Sequence, residues 1–203
     1  IPQGTLFTDS SGNSWLSARD VTWYSNVTTC KVPIIQHEKY TASALNNMVI
    51  PTGDRVIIHL GTLPNGKYYE QGSMSLQIGG ETWVLVDTFA KSKPTDKHFM
   101  VSVDESLSPY IMFGDGTFGK KPAAGAKITN VVFYLTNGTQ GNVKSNTITS
   151  VPSVISSSIT DATVSNAYDA GGGSNYENFT MLKEHIPLSV KTLGVAITKE
   201  DFE

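Results

Sequence analysis

Cysteine is almost missing from this sequence: Cys30 is the only one in 203 residues. An intrachain disulfide is therefore excluded, and so is a zinc cage built from thiolates. Histidine is nearly as sparse. His37, His59, His98 and His185 stand far apart, without the close pairing that gathers metal ligands on one strand or helix. No excess of either charge is present, since the net charge is −3 and the isoelectric point about 5.8. That balance gives no electrostatic pull toward nucleic acid or an anionic bilayer. Long apolar runs are lacking too, and none approaches the ~20 residues that a membrane helix needs. Finally, no nucleophile elbow, P-loop, metalloprotease helix or EF-hand loop occurs. Asp104 and Glu105 are adjacent carboxylates, but neighbours at a strand end point apart. The sequence therefore nominates no catalytic residue, no metal ligand and no cofactor. It implies no nucleic acid partner and no membrane insertion.

What is there is glycine, serine, threonine and asparagine around short apolar stretches, a composition that suits many strands and tight turns. The expected fold class is α+β, mainly β, with antiparallel and mixed sheets, hairpins and a short helical C-terminal segment. Residues 1–170 form the β-rich domain, with a hairpin module at about 73–121; residues 171–203 form a glycine hinge and helices. Starting from Ile1 and stopping inside a predicted helix, the sequence reads as an excised piece of a longer protein.

The pattern predicts a hairpin from Thr5–Thr8 into Ser14–Leu16, then strands at Val21–Tyr24 and Val32–Ile35, the latter at an edge because Pro33 cannot donate. A helical turn or two fits Tyr40–Met48, and Val56, Ile58 and Leu60 alternate as in a half-buried strand. Met74, Leu76 and Ile78 alternate with polar residues up to Gly79-Gly80, a two-residue primed turn. That turn sets Ile78 opposite Glu81, Leu76 opposite Trp83 and Met74 opposite Leu85. Residues 90–98 read as a solvated loop, or as a lysine patch for an anion or a partner. Val131, Phe133 and Leu135 share one face of a strand whose other face is apolar as well, so this strand belongs inside its sheet. Ser145–Ser165 reads as an extended arm with one or two strands. Ser174 or Asn175 then caps a helix whose Tyr176, Phe179, Leu182 and Ile186 recur at helical spacing until Pro187. These four residues are the candidate interface.

The centre of the sequence is Phe113-Gly114-Asp115-Gly116-Thr117-Phe118-Gly119, followed by Pro122, Gly125 and Ile128 and, past the apolar strand, by Asn137-Gly138-Thr139-Gln140-Gly141-Asn142-Val143. Gly114, Gly116 and Gly119 are expected at positive φ, with Asp115 capping the turn. Gly125, Gly138 and Gly141 complete the structural turns. This spacing resembles the baseplate wedge proteins of contractile phage tails, the J-like family. Ile1-Pro2-Gln3-Gly4-Thr5-Leu6-Phe7-Thr8 with Gly12 and Trp15, and Gly171-Gly172-Gly173 with Ala196-Ile197-Thr198-Lys199-Glu200-Asp201-Phe202-Glu203, resemble its two ends.

The resemblance implies a structural wedge subunit, not an enzyme, that associates with itself and with other baseplate wedge subunits in a ring around the tail tube. It places the chain in the virion tail baseplate, assembled in the host cytoplasm, or in a related contractile injection or secretion apparatus. A carbohydrate-binding β domain of a tail or cell-surface adhesin is the alternative, with Trp15, Trp23 or Trp83 as the stacking platform. A glycan-cleaving tail enzyme needs an acid pair that the sequence does not show.

Overall fold

The computed structural model describes residues 1–64 and 66–176. Its strands, in chain order, are β1 (Leu6–Thr8), β2 (Ser14–Ser17), β3 (Ile34–Ile35), β4 (Glu38–Thr41), β5 (Ile57–His59) and β6 (Tyr68–Tyr69). Then come β7 (Ser75–Ile78), β8 (Glu81–Leu85), β9 (His98–Val103), β10 (Pro109–Phe113) and β11 (Ile128–Thr136). One short helix, α1 (Ser153–Ser156), is found among the described residues. The chain is mainly β, as its alternating pattern predicts, and the larger sheet curls into a half-barrel.

That larger sheet runs β4-β11-β7-β8-β9-β10-β5, with β6 also paired to β11. Every pairing is antiparallel except β8 with β9, where Val84 meets His98 and Leu85 meets Phe99. Parallel neighbours need a crossover of about a dozen residues, and residues 86–97 supply it without a helix. The β7–β8 hairpin has the predicted register, Ile78 with Glu81 and Leu76 with Trp83. Gly79 and Gly80 take φ of 59° and 80°, the double positive value that this turn demands. Pairing stops at Leu76–Trp83 and does not extend to Met74 and Leu85.

Strand β11 lies between β4 and β7, and Val131, Phe133 and Leu135 are buried together on the core face. Ile128 is buried on that face as well, although its parity is opposite. The reason is a bulge between Thr129 and Val132, where Asn130 sits at φ 54° and the extra residue resets the alternation. Asn130 then donates from Nδ2 to Gln77 Oε1 at 2.7 Å, fastening the bulge to β7. The core of this sheet gathers Phe99, Ile111, Phe133, Leu135, Ile128 and Leu76 with eleven further buried residues.

The smaller sheet, β1-β2-β3, has its own apolar cluster of Phe7, Trp15, Ile148 and Ile155. Half of it comes from the far end of the chain. Asp9 bridges to Ile148 and Val143 to Ala170, so residues 143–170 clasp the N-terminal hairpin.

Several expectations are corrected here. Val21–Tyr24 is not a strand: only Val21 pairs, exchanging bonds with Ile1, while Trp23 turns to the small core. Ser145–Ser165 carries one isolated bridge, at Ile148, and the helix α1 rather than strands, because its backbone donors go mainly to side chains and turns. Tyr40–Met48 does hold one helical turn, a 3-10 turn at Ser43–Leu45, but its first two residues belong to β4. The polar stretch 90–98 is exposed or half-buried, as a solvated loop should be, except at Ser92, which is buried with its hydroxyl on His98 Nδ1 at 2.8 Å.

Candidate functional site

The glycine turn after β10 is assembled from two different constraints. Gly116 and Gly119 sit at φ 96° and 82°, as the sequence predicts. Gly114 does not take a positive φ. It is glycine for room: a Cβ there would lie 2.3 Å from the carbonyl carbon and oxygen of Gly119. The turn folds so tightly that its two arms touch backbone to backbone, and Gly116 N–H donates to Gly119 O at 3.0 Å. Asp115 caps the turn as expected, with Oδ1 accepting from Thr117 N at 2.7 Å and Phe118 N at 2.9 Å. Those backbone donors, Phe118 first and Thr117 next, hold its carboxyl below the usual range.

The other predicted glycines lie elsewhere. Gly125, at φ 83°, turns the chain into β11 and donates to Ile50 O at 3.0 Å. Gly138 (φ 55°) and Gly141 sit in a 3-10 turn, Gly138–Gly141, against the Gly171–Gly173 run. Gly141 is not at positive φ; its Cβ would meet Gln36 Oε1 at 2.8 Å. The seven predicted turn residues thus form three separate structures.

The triple glycine is not a free hinge. Gly173 N donates to Asn142 Oδ1 at 2.8 Å, and Asn142 Nδ2 donates back to Gly173 O at 2.9 Å. Asn175 spends its side-chain oxygen on Thr139 N at 2.9 Å, and the helix expected after it lies outside the described residues. Tyr176 packs edge-on against Tyr68, ring centroids 5.6 Å apart, and donates its hydroxyl to Tyr69 O. Burial drives its pKa up to about 12. Of the candidate interface, then, Tyr176 is committed to its own sheet, while Phe179, Leu182 and Ile186 lie outside the described residues.

Beside the glycine turn the structure opens a cleft of about 540 Å³ that sequence reading missed. Its floor is the outer face of three strands. Met112 of β10 pairs with Ile57 of β5 on one side and Met100 of β9 on the other, so the three form a cross-strand row. Phe89 and Phe118 form its walls, and Arg55 and Asp115 stand at its rim. Ile57 is 43% exposed and Phe118 54% exposed, large apolar surface turned to solvent. The signal was legible in principle: Ile57, Met100 and Met112 hold the outward parity of their strands, where polar residues are the rule.

No family model, no curated protein and no solved structure matches this chain.

Among the described residues, no three His, Cys, Asp or Glu side chains are grouped to hold a metal ion. Asp104, singled out with Glu105, caps its own turn through Ser106 N and Ser108 N at 2.8 and 2.9 Å. Of the three lysines at residues 90–98, Lys97 pairs with Glu81 on the surface at 2.7 Å. Two of the three tryptophans are withdrawn from any stacking role: Trp15 is buried against Asp9, and Trp83 lies edge-on to Phe113 in the core. Trp23 remains half-buried, its Nε1 donating to Val27 O at 3.0 Å, beside Tyr24, which is 67% exposed.

Proposed function

We propose that this chain is a structural subunit that works by binding other protein subunits, and that the cleft beside the glycine turn is one of its docking surfaces. The observation carrying this is the outward row Ile57–Met112–Met100 with the exposed Phe118. Unbranched thioethers adapt to a partner's contour, and an exposed aromatic is the type of anchor that dominates interfaces. Arg55 and Asp115 give the apolar floor a charged rim, the usual anatomy of such a surface.

The motifs at residues 1–15, 113–143 and 171–203 support a narrower reading, a wedge component of a contractile-tail baseplate that joins copies of itself and neighbouring wedge proteins. Light scattering and co-purification with neighbouring tail proteins test both levels. Assembly is expected with the parent chain and lost with Met112→Asp or Phe118→Asp, at unchanged monomer melting temperature. A chain that stays monomeric beside all those neighbours, yet binds a sugar saturably and loses it with Trp23→Ala, belongs to the carbohydrate-binding alternative instead.

A further inference from the structure

At the far end of β11 three neighbouring strands bring a lysine, an asparagine and a glutamate into one contact. Tyr68 of β6 is registered opposite Thr136, which sets Lys67 opposite Asn137. On the other side of β11, Glu38 of β4 is opposite Leu135. Cross-strand partners and residues two apart share a face, so Lys67, Asn137, Glu38, Leu135 and Tyr69 all lie on the core side. Leu135 and Tyr69 are buried, and Asn137 is only 5% exposed. Lys67 Nζ donates to Asn137 Oδ1 at 2.7 Å and sits 2.8 Å from Glu38 Oε2. The side-chain amide is held at both ends, because its Oδ1 accepts from Lys67 and its Nδ2 donates to Asn13 Oδ1, while the residue's backbone N–H donates to Gln36 Oε1.

We propose that Lys67 and Asn137 are the reacting pair of an intramolecular isopeptide bond, with Glu38 as its proton carrier. The parts are an amine in contact with an amide, a carboxylate touching the amine, and packing that keeps the amide out of water. Glu38 takes a proton from the Lys67 ammonium, and the freed Nζ attacks Cγ of Asn137. A tetrahedral carbon forms, whose oxyanion carries the charge. Glu38 then returns its proton to Nδ2, the Cγ–Nδ2 bond breaks as the C=O re-forms, and the nitrogen leaves as ammonia, taking the surplus proton from Nζ to become ammonium and leaving a neutral amide N–H. One C–N bond forms and one breaks. No oxidant or cofactor is needed, and the chain loses one ammonia and one positive charge. Holding amine and amide in contact is the source of the rate, since orientation alone replaces a bimolecular encounter. The bond would close a loop between positions seventy apart.

Mass spectrometry of the whole denatured chain tests this. The expected mass is one ammonia below that of the sequence, with a protease-released, branched peptide joining the segments that contain Lys67 and Asn137. Because Asn137 precedes Gly138, cyclisation to a succinimide loses ammonia as well, and Lys67→Arg separates the two. Under the proposal Lys67→Arg has full mass and yields no branched peptide. Glu38→Gln, which keeps the shape but not the proton carrier, is expected to form the bond at least tenfold more slowly. A parent chain of full mass after prolonged incubation overturns the proposal, as does a deficit that persists in Lys67→Arg. The parent measurement needs no variant to fold.

Discussion

The two sheets of this molecule are held together by different forces. The curled eight-stranded sheet buries seventeen residues in one apolar cluster, five of them with no exposed surface beyond a trace: Phe99, Ile111, Ile128, Phe133 and Leu135. The three-stranded sheet and its C-terminal arm bury four, and polar side chains do the rest. Asp9 accepts four hydrogen bonds, from Ser11 N, Asn13 N, Asn13 Nδ2 and Trp15 Nε1. Asn166 makes four more, accepting from Thr147 N and Ile148 N and donating to Lys144 O and Tyr168 O. Where apolar area is small, each strand is fixed by a side chain that replaces a missing ladder. Such a region loses stability in discrete steps when a hub is removed; a large core loses it with volume.

The sharpest way to break the large sheet is at Gly114. A Cβ 2.3 Å from the Gly119 backbone has no flexible neighbour to push aside. Gly114→Val is therefore expected to cost about 5 kcal/mol, enough to leave little folded chain against a total of roughly 5–15 kcal/mol. Gly116→Val meets only strain at positive φ, about 1–3 kcal/mol. Equal losses in the two variants, read from urea unfolding, would remove the steric account of Gly114.

Next in size is Phe133→Ala, which empties the most enclosed part of the large core and is expected to cost about 3–5 kcal/mol. Every probe of unfolding should shift with it.

Asp9→Ala is expected to cost less, about 2–3 kcal/mol, by leaving buried donors without a partner. Its effect should be local: amide exchange accelerates in β1 and β2 while β9–β11 keep their protection. Uniform acceleration across both sheets would erase the distinction between them.

Acid separates the two regions in the same direction. Burial alone would raise the Asp9 carboxyl, but the bonds from Asn13, Trp15 and Ser11 outweigh it and hold the group below its ordinary 3.8. A carboxyl depressed on folding stabilises the fold above that ordinary value and ceases to do so as pH falls through the depressed one. The small sheet should therefore loosen below about pH 4, ahead of the large core, in near-ultraviolet signals from Trp15. Simultaneous loss of both regions on acidification counts against it.

The smallest expected effect on folding is that of Phe118→Ala. At 54% exposed the ring adds little to the monomer, so a change within about 0.5 kcal/mol is expected, with association reduced. A stability loss several times larger would mean that Phe118 belongs to the core.

How much of this was legible in the sequence follows the same division. The β7–β8 register could be read because two glycines and a strict alternation leave one solution, Leu76 with Trp83. The inward face of β11 was legible from Val131 onward and lost at Ile128, because a bulge at Asn130 changes parity without changing composition. Gly114 was recognised as obligatory for the wrong reason: a near-contact with Gly119 is a property of the folded turn, not of local pattern. The arm 143–170 was the least legible part. Its order comes from Asn166 and Asp169, whose partners at 144–148 are twenty or so positions away and carry no periodic mark. The outward row Ile57–Met112–Met100 needed the pairing of three strands before it became a surface.

The clasp between the first hairpin and residues 143–170 also sets an order of events in synthesis. Thr8 N–H bonds Ser150 Oγ across 142 positions, so β1 and β2 leave the ribosome long before the segment that buries Phe7 and Trp15. Meanwhile β4 to β11 all lie within residues 38–136 and can pair as soon as β11 emerges. A short hairpin alone is marginal in water, and closing so long a loop is slow. The first hairpin is thus made before its cover and folded after the large sheet, and its aromatic residues wait exposed until residues 143–170 come back to them.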